Sequence, residues 1–265
     1  MTHMLVRHRV ALVVVLVALV VAIAGPFVVG TAGLRIDLAH DLASPSAVGR
    51  LGRAENGVDL LTALVYGART SLFVSIAATS ISLVAGVVVG SFAAFAGGRV
   101  EALILRMLDV LLAFPGILLA VYLAAVLPPS PFTVVIALSA TGWVGFARVM
   151  RTSVSTVLVR EHVTAARALG ASPLRIALVH VLPLAARPVI VQASFGMSTA
   201  ILAEASLSFL GLGSPPGTPS WGALLDEGTA YLFVAPHLAI APGLCIATLV
   251  LAFNVLGDAL TSRTT

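Results

Sequence analysis

The chain alternates long apolar runs with short polar breaks. Six runs are long enough to cross a bilayer: roughly 10–30, 71–96, 102–127, 132–150, 184–206 and 236–257. A hydrocarbon core about 30 Å thick needs about 20 apolar helical residues. Backbone polar groups in lipid must be paired internally, so such runs are helices or barrel strands. These are too long and too continuous for barrel strands, and the pattern predicts an all-α polytopic membrane protein. The first run follows Arg7, His8 and Arg9, as a signal peptide would, and Ala22–Gly25 offers a cleavage-like site. Its length exceeds a usual signal core, so a retained anchor is expected. The organisation expected is an anchor helix and first outer loop over 1–70, then a five-helix core over 71–265.

The stretch REHVTAARALGASPLRIALVHVLP, residues 160–183, breaks the pattern. It is charged, looks helical, and carries Gly170, Ser172 and Pro173 in its middle. Glu161 near its start suits the positive end of a helix dipole. Gly170 suits the left-handed position that ends a helix, Ser172 can cap the next one, and Pro173 fits a first helical turn. The segment therefore reads as a hairpin of two helices with an elbow at Gly170. Small Ala165 and Ala166 allow close approach by another surface, and Arg167 can meet an acidic partner. An amphipathic helix resting on lipid headgroups is the alternative.

Composition confirms the class and charge orients it. Apolar residues make up 59%, charged residues 10%, and mean hydropathy is +1.10; soluble domains are nearer half apolar and a quarter charged. All fifteen basic residues are arginine. With the N-terminus in the cytoplasm, eleven of these fifteen fall on inner segments. Only Arg35, Arg50, Arg53 and Arg69 fall outside, a positive-inside bias. The high pI is thus a topology signal, and nucleic acid is not expected as a partner. Both termini and the hairpin are expected in the cytoplasm. The single cysteine, Cys245, excludes a disulfide framework within the chain. The chain has no lysine and no phosphate-binding loop, so it cannot itself hydrolyse ATP by that motif.

The spacing Ala165-Ala166, Gly170, Leu182-Pro183 resembles the EAA loop of ABC importer permeases. That pattern reads E-A-A, three residues, Gly, nine residues, Ile, one residue, Leu-Pro. Thr164 here replaces the first Glu, and His180 the Ile. The runs MLDVLLAFPGILLA, ARALGASPLRI, ILAEASLSFLGLG, PSWGALL and LAFNVLGDAL are similar to the C-type permease of dipeptide and oligopeptide importers. LVYGARTSLFVSI is similar to that family's second-span start. Residues 31–55 depart from it. The resemblance implies six transmembrane helices in the type I importer fold, in a bacterial inner membrane. It implies a heterodimer with a second permease, two ATPase domains that bind ATP and Mg, and an extracytoplasmic peptide-binding protein. The hairpin would be the coupling helix, with Glu161, Ala165, Ala166, Arg167, Gly170, Pro173, Leu182 and Pro183 docking in an ATPase groove. Nickel complexes, glutathione and other peptide-like solutes fit the same family.

Few polar residues lie in the spans. Asp109 and Glu204 are the candidates for the pathway, since intramembrane acids are functional candidates by default. Asp109 is also one turn from Arg106, a local pair. Glu204 is also placed for an interhelical hydrogen bond to a partner subunit. Asn254 and Asp258, one turn apart, suggest a helix-end clamp. Trp143 and Trp221 are expected as interfacial anchors. His162 and His180 flank the elbow, where protonation could tune docking. A proton-coupled transporter would use Asp109 and Glu204 but predicts inverted repeats, which are not apparent. A serine protease would need Ser214 of GLGSPPG and a base such as His237 within reach.

Overall fold

The computed structural model describes residues 2–46, 49–215 and 217–261, so Arg263 and Pro216 lie outside the described residues. Every regular element among them is helical. The first helix, α1 (Thr2–Val29), buries Ala11, Val15 and Ala22 against its neighbours. Residues 31–46 and 49–59 follow as a folded loop with three short 3-10 turns. α2 (Leu60–Ala96) starts where the Asp59 carboxylate accepts from the Thr62 N–H at 2.9 Å and from its hydroxyl at 2.6 Å. This span therefore begins at Leu60, not at 71. Its 37 residues reach about 55 Å at 1.5 Å per residue, well beyond the hydrocarbon thickness.

The third run does not form one straight helix. α3 (Gly98–Ala113) and α4 (Gly116–Val126) meet at a bend of 75°. Pro115 drives the residue before it out of the helical region, and Phe114 is accordingly extended at ψ 130°. α5 (Pro131–Leu158) is capped by Ser130, whose hydroxyl accepts from the Thr133 N–H at 3.1 Å. The short α6 (Glu161–Ala168) leads through Gly170 into α7 (Pro173–Phe209). Within α7, Ile176–Val181 is wound as a π-helix. α8 (Trp221–Ala230) lies in the connection to α9 (His237–Thr261). Among the described residues, five helices are long and apolar enough to cross a membrane, and the bent pair α3–α4 makes a sixth if counted as one span.

The core is closed by small residues rather than by bulk. Gly86 and Gly90 face α5: a methyl group at Gly86 would strike the Phe146 Cβ, and one at Gly90 the Ala147 carbonyl oxygen. Between apolar helices in lipid, such close backbone approach supplies the packing that water would otherwise drive. The GVVVG signal was present in the sequence at 86–90, hidden inside a uniformly apolar run.

Candidate functional site

The hairpin is a small helix hung on an elbow. α6 ends in a Schellman turn: the Gly170 N–H donates to the Arg167 carbonyl at 3.1 Å, and the Ala171 N–H to the Ala166 carbonyl at 3.0 Å. Gly170 has φ +82°, in the left-handed region, with open space where a side chain would stand. Ser172 then accepts from the Arg175 N–H at 3.4 Å, and Pro173 opens α7. The elbow expected at Gly170 is thus present, with its reason. Val163 is fully buried beside Val154, Val157, Ile176 and Val181 and pins α6 against the bundle. Everything else on α6 looks outward or sideways. Glu161, His162, Ala165, Arg167 and Ala168 are exposed and Ala166 half-buried. Leu169 and Leu174 are 88% and 68% exposed, unusual for leucines at a tight turn. Leu182 is half-buried, Pro183 exposed, and His180 half-buried in the π turn.

The arrangement presents a cationic surface, from Arg160, Arg167 and Arg175, around bare apolar tips. Such a surface suits an acidic groove with apolar floors.

A second feature lies between α2, α4, α5 and α7. A cavity of about 360 Å3 is walled mostly by small and apolar residues. Thr79, Ser82, Thr141, Gln192 and Thr199 supply its polar groups, and no charged residue lines it. Neither Asp109 nor Glu204 reaches it.

Asp109 pairs with Arg148 on α5, not with Arg106. Eight residues earlier on α3, the Glu101 carboxylate accepts from Arg151 Nε at 2.6 Å. These two rungs tie α3 to α5. Glu204 is 2% exposed. One oxygen accepts from the Ser208 hydroxyl at 2.8 Å, and Ser71 of α2 stands beside it. The other Glu204 oxygen is buried with no hydrogen-bond partner among the described residues. Asn254 donates to the Val250 carbonyl at 3.0 Å and leaves Asp258 exposed, so these two form no clamp.

Trp221 is no interfacial anchor. It is 5% exposed; its backbone N–H donates to Ser71 Oγ at 3.1 Å and its indole N–H to the Leu64 carbonyl at 3.0 Å. It bolts α8 to α2. The signal available was the Ser220 cap, which accepts from the Ala223 N–H at 3.2 Å and starts a helix at Trp221. His237 packs against Gly52.

The family model for the binding-protein-dependent transport system inner membrane component matches residues 86–265. The chain is 43% identical over 210 residues to the di/tripeptide transport system permease protein of Pseudomonas aeruginosa, covering 79% of this chain and 69% of that one. It is 36% identical over 250 residues to the dipeptide transport system permease protein of Bacillus subtilis, covering 94% and 78%. It is 37% identical over 216 residues to that organism's oligopeptide transport system permease protein, covering 82% and 71%. Inward-facing structures of the MetNI methionine ABC transporter contain a chain of the same fold, with TM-score 0.61 at 18% identity, covering 78% of this chain and 96% of that one. On the family match and on these relatives, the chain belongs to the inner membrane components of binding-protein-dependent transport systems.

Proposed function

We propose that the chain is the permease subunit of an ATP-driven importer of dipeptides or oligopeptides, forming half of the translocation pathway. The observation that carries this reading is the similarity to three peptide permeases over most of the chain. The second half of the pathway is a second permease subunit. Two ATPase domains bind ATP and Mg and lie below the hairpin. A peptide-binding protein delivers cargo from the extracytoplasmic side.

The exposed elbow supports the coupling role. Glu161, Ala165, Ala166, Arg167, Gly170, Pro173, Leu182 and Pro183 form the element that docks in the ATPase groove. Closure of the ATPases on ATP pushes α6, and the continuous α7 carries that push into the spans. The distribution of arginine supports a cytoplasmic hairpin and cytoplasmic termini. Asp109 serves this function by fastening α3 to α5 through Arg148, while Glu204 bonds Ser208 on its own helix.

The test has two arms. Uptake of a radiolabelled dipeptide is measured in cells lacking the chain and in cells restored with it, with intact and ATPase-dead partners. Restored, ATPase-dependent uptake is expected; uptake that survives ATPase inactivation would sink the proposal. Single cysteines at Ser172 and Ser214, in a Cys245→Ser background, report orientation. An impermeant thiol reagent on intact cells should label Ser214→Cys and spare Ser172→Cys; the reverse would invert the topology.

A further inference from the structure

Most hydroxyls in these spans are spent inside their own helix. Ser75 donates to the Ser71 carbonyl at 2.8 Å, Thr199 to Phe195 at 3.1 Å and Ser206 to Leu202 at 2.8 Å. Three polar side chains on the cavity wall are not spent at all. Among the described residues, Ser82 of α2, Thr141 of α5 and Gln192 of α7 have no hydrogen-bond partner, and all three line the cavity. Ser82 is the telling one. The residue is 3% exposed, yet its oxygen keeps accessible surface on the cavity side. Thr79, one turn earlier, has its oxygen sealed inside the bundle. A polar group held out of bulk water without a partner is costly. Here the missing partner can come from the cavity.

Each of the three groups faces a glycine on a neighbouring helix. A methyl group on Gly142 would stand 2.6 Å from Ser82 Oγ, one on Gly116 3.1 Å from Thr141 Oγ1, and one on Gly145 4.0 Å from Gln192 Nε2. Gly142 and Gly145 are three residues apart on α5, so they share a face, about 5–6 Å from one side-chain position to the next. Ser82 and Gln192 therefore approach adjacent turns of one bare strip of α5, from α2 and from α7. The strip brings no side chain that could answer them. No charged residue lines the cavity, so an ionised group would enter without a counter-charge, at a cost. The ligand that fits is neutral and carries both a donor and an acceptor. The Gln192 carboxamide offers the matching pair, an N–H donor and a carbonyl acceptor on one flat group.

We infer that this wall of the cavity takes the peptide group of the passing solute. Gln192 accepts from its N–H, and the Ser82 and Thr141 hydroxyls donate to its carbonyl. The inference rests on the peptide-import reading for its cargo and deepens it. The wall reads the bond that peptides share and is indifferent to their side chains. A neutral amide held by neutral groups is also gripped weakly, as a pathway requires: the solute must leave as well as enter.

The test uses the purified whole complex carrying Ala203→Cys with Cys245→Ser. Ala203 lines the cavity, so a solute there shields the new thiol from a maleimide. Labelling of this chain is followed by mass. Two probes are compared: alanyl-alanine and alanyl-lactate, the ester in which oxygen replaces the peptide N–H while both charged ends remain. Alanyl-alanine should protect at about tenfold lower concentration, the effect of one acceptor left unmet by the ester. Gln192→Leu should abolish that difference. Ser82→Ala and Thr141→Val should each raise the protecting concentration of alanyl-alanine about threefold or more, for the loss of one donor. If Gln192→Leu fails to assemble, Ser82→Ala, which deletes a single oxygen, carries the test with the two probes. Equal protection by peptide and ester, no protection by either, a preference that survives Gln192→Leu, or an unchanged protecting concentration in Ser82→Ala would overturn the inference. Peptide preference without ATP-dependent uptake would sink the import reading and leave this site standing; ATP-dependent uptake with peptide and ester equal would sink only the site.

Discussion

The two ends of the bundle are built on opposite plans. At the hairpin end, α6 is held by one buried valine, Val163, and by a glycine turn. Its surface is basic, and its leucines at 169 and 174 are bare. At the other end, the connections are tied down. Arg53 Nη1 donates to the Gly57 carbonyl at 2.8 Å, the Asp59 N–H to the Gly33 carbonyl at 2.8 Å, and Trp221 bonds α2 twice. That end is acidic: partial burial with the carboxylates of Glu55 and Asp226 pushes the Glu227 carboxyl above its usual range, and Glu55 foremost pushes the Tyr231 phenol up. One end is fastened by buried hydrogen bonds, the other attached by a turn and a contact. The difference teaches where motion enters. A surface meant to be pushed is held between two spans by one buried side chain, whereas a surface meant to stay shut is tied by hydrogen bonds across several elements.

The contrast breaks first at Trp221. Trp221→Ala removes a buried aromatic and its indole bond to the Leu64 carbonyl, and should destabilise by about 3–5 kcal/mol. Thermal unfolding in detergent and membrane levels should both fall; unchanged values would mean the closed end is not a lock. Gly170→Val acts in the opposite manner. The space is open, so the penalty is backbone conformation alone, about 1–2 kcal/mol. Membrane levels should hold while co-purification of the ATPase and dipeptide uptake drop, with Thr164→Glu tolerated. Wild-type uptake would make the hairpin a mere connector. The smallest effects belong to the α3–α5 rungs. The side chains of Glu101 and Arg151 are 20% and 30% exposed, those of Asp109 and Arg148 57% and 47%. Arg151→Ala should cost about 1 kcal/mol and Arg148→Ala a few tenths, screened by salt. Equal losses in a salt series of melting curves would remove the distinction between inner and outer rung.

Helix type, helix number and the elbow were legible because each has a local cause. Hydropathy runs mark the spans, and Gly170, Ser172 and Pro173 act within one turn of themselves. The start of α2 was misplaced because Arg69 looked like a flank, although the Asp59 cap lay ten residues earlier. The bend at Phe114-Pro115 had its proline in view, but hydropathy averaged across the break. The segment 31–55 was opaque for a different reason. Its shape comes from bonds between distant residues, such as the Arg53 N–H to the Ala43 carbonyl at 2.8 Å, and from Asn56 at φ 62°. The cavity was hidden too: Thr79, Gly116 and Thr141 meet only once α2, α4 and α5 are assembled. No spacing in the sequence announces them.

The π segment Ile176–Val181 bears on how a push is delivered. Hydrogen bonds to the fifth residue take in one residue more per turn than the α-helix needs. Side chains above the segment are therefore out of phase with those below, by about 100° for one extra residue. The direction in which the elbow points and the face that α7 turns to the cavity are thus two separate settings on one rod. Were the hairpin to dock as proposed, thrust would pass along the axis while the angle of each end stayed with its own partners.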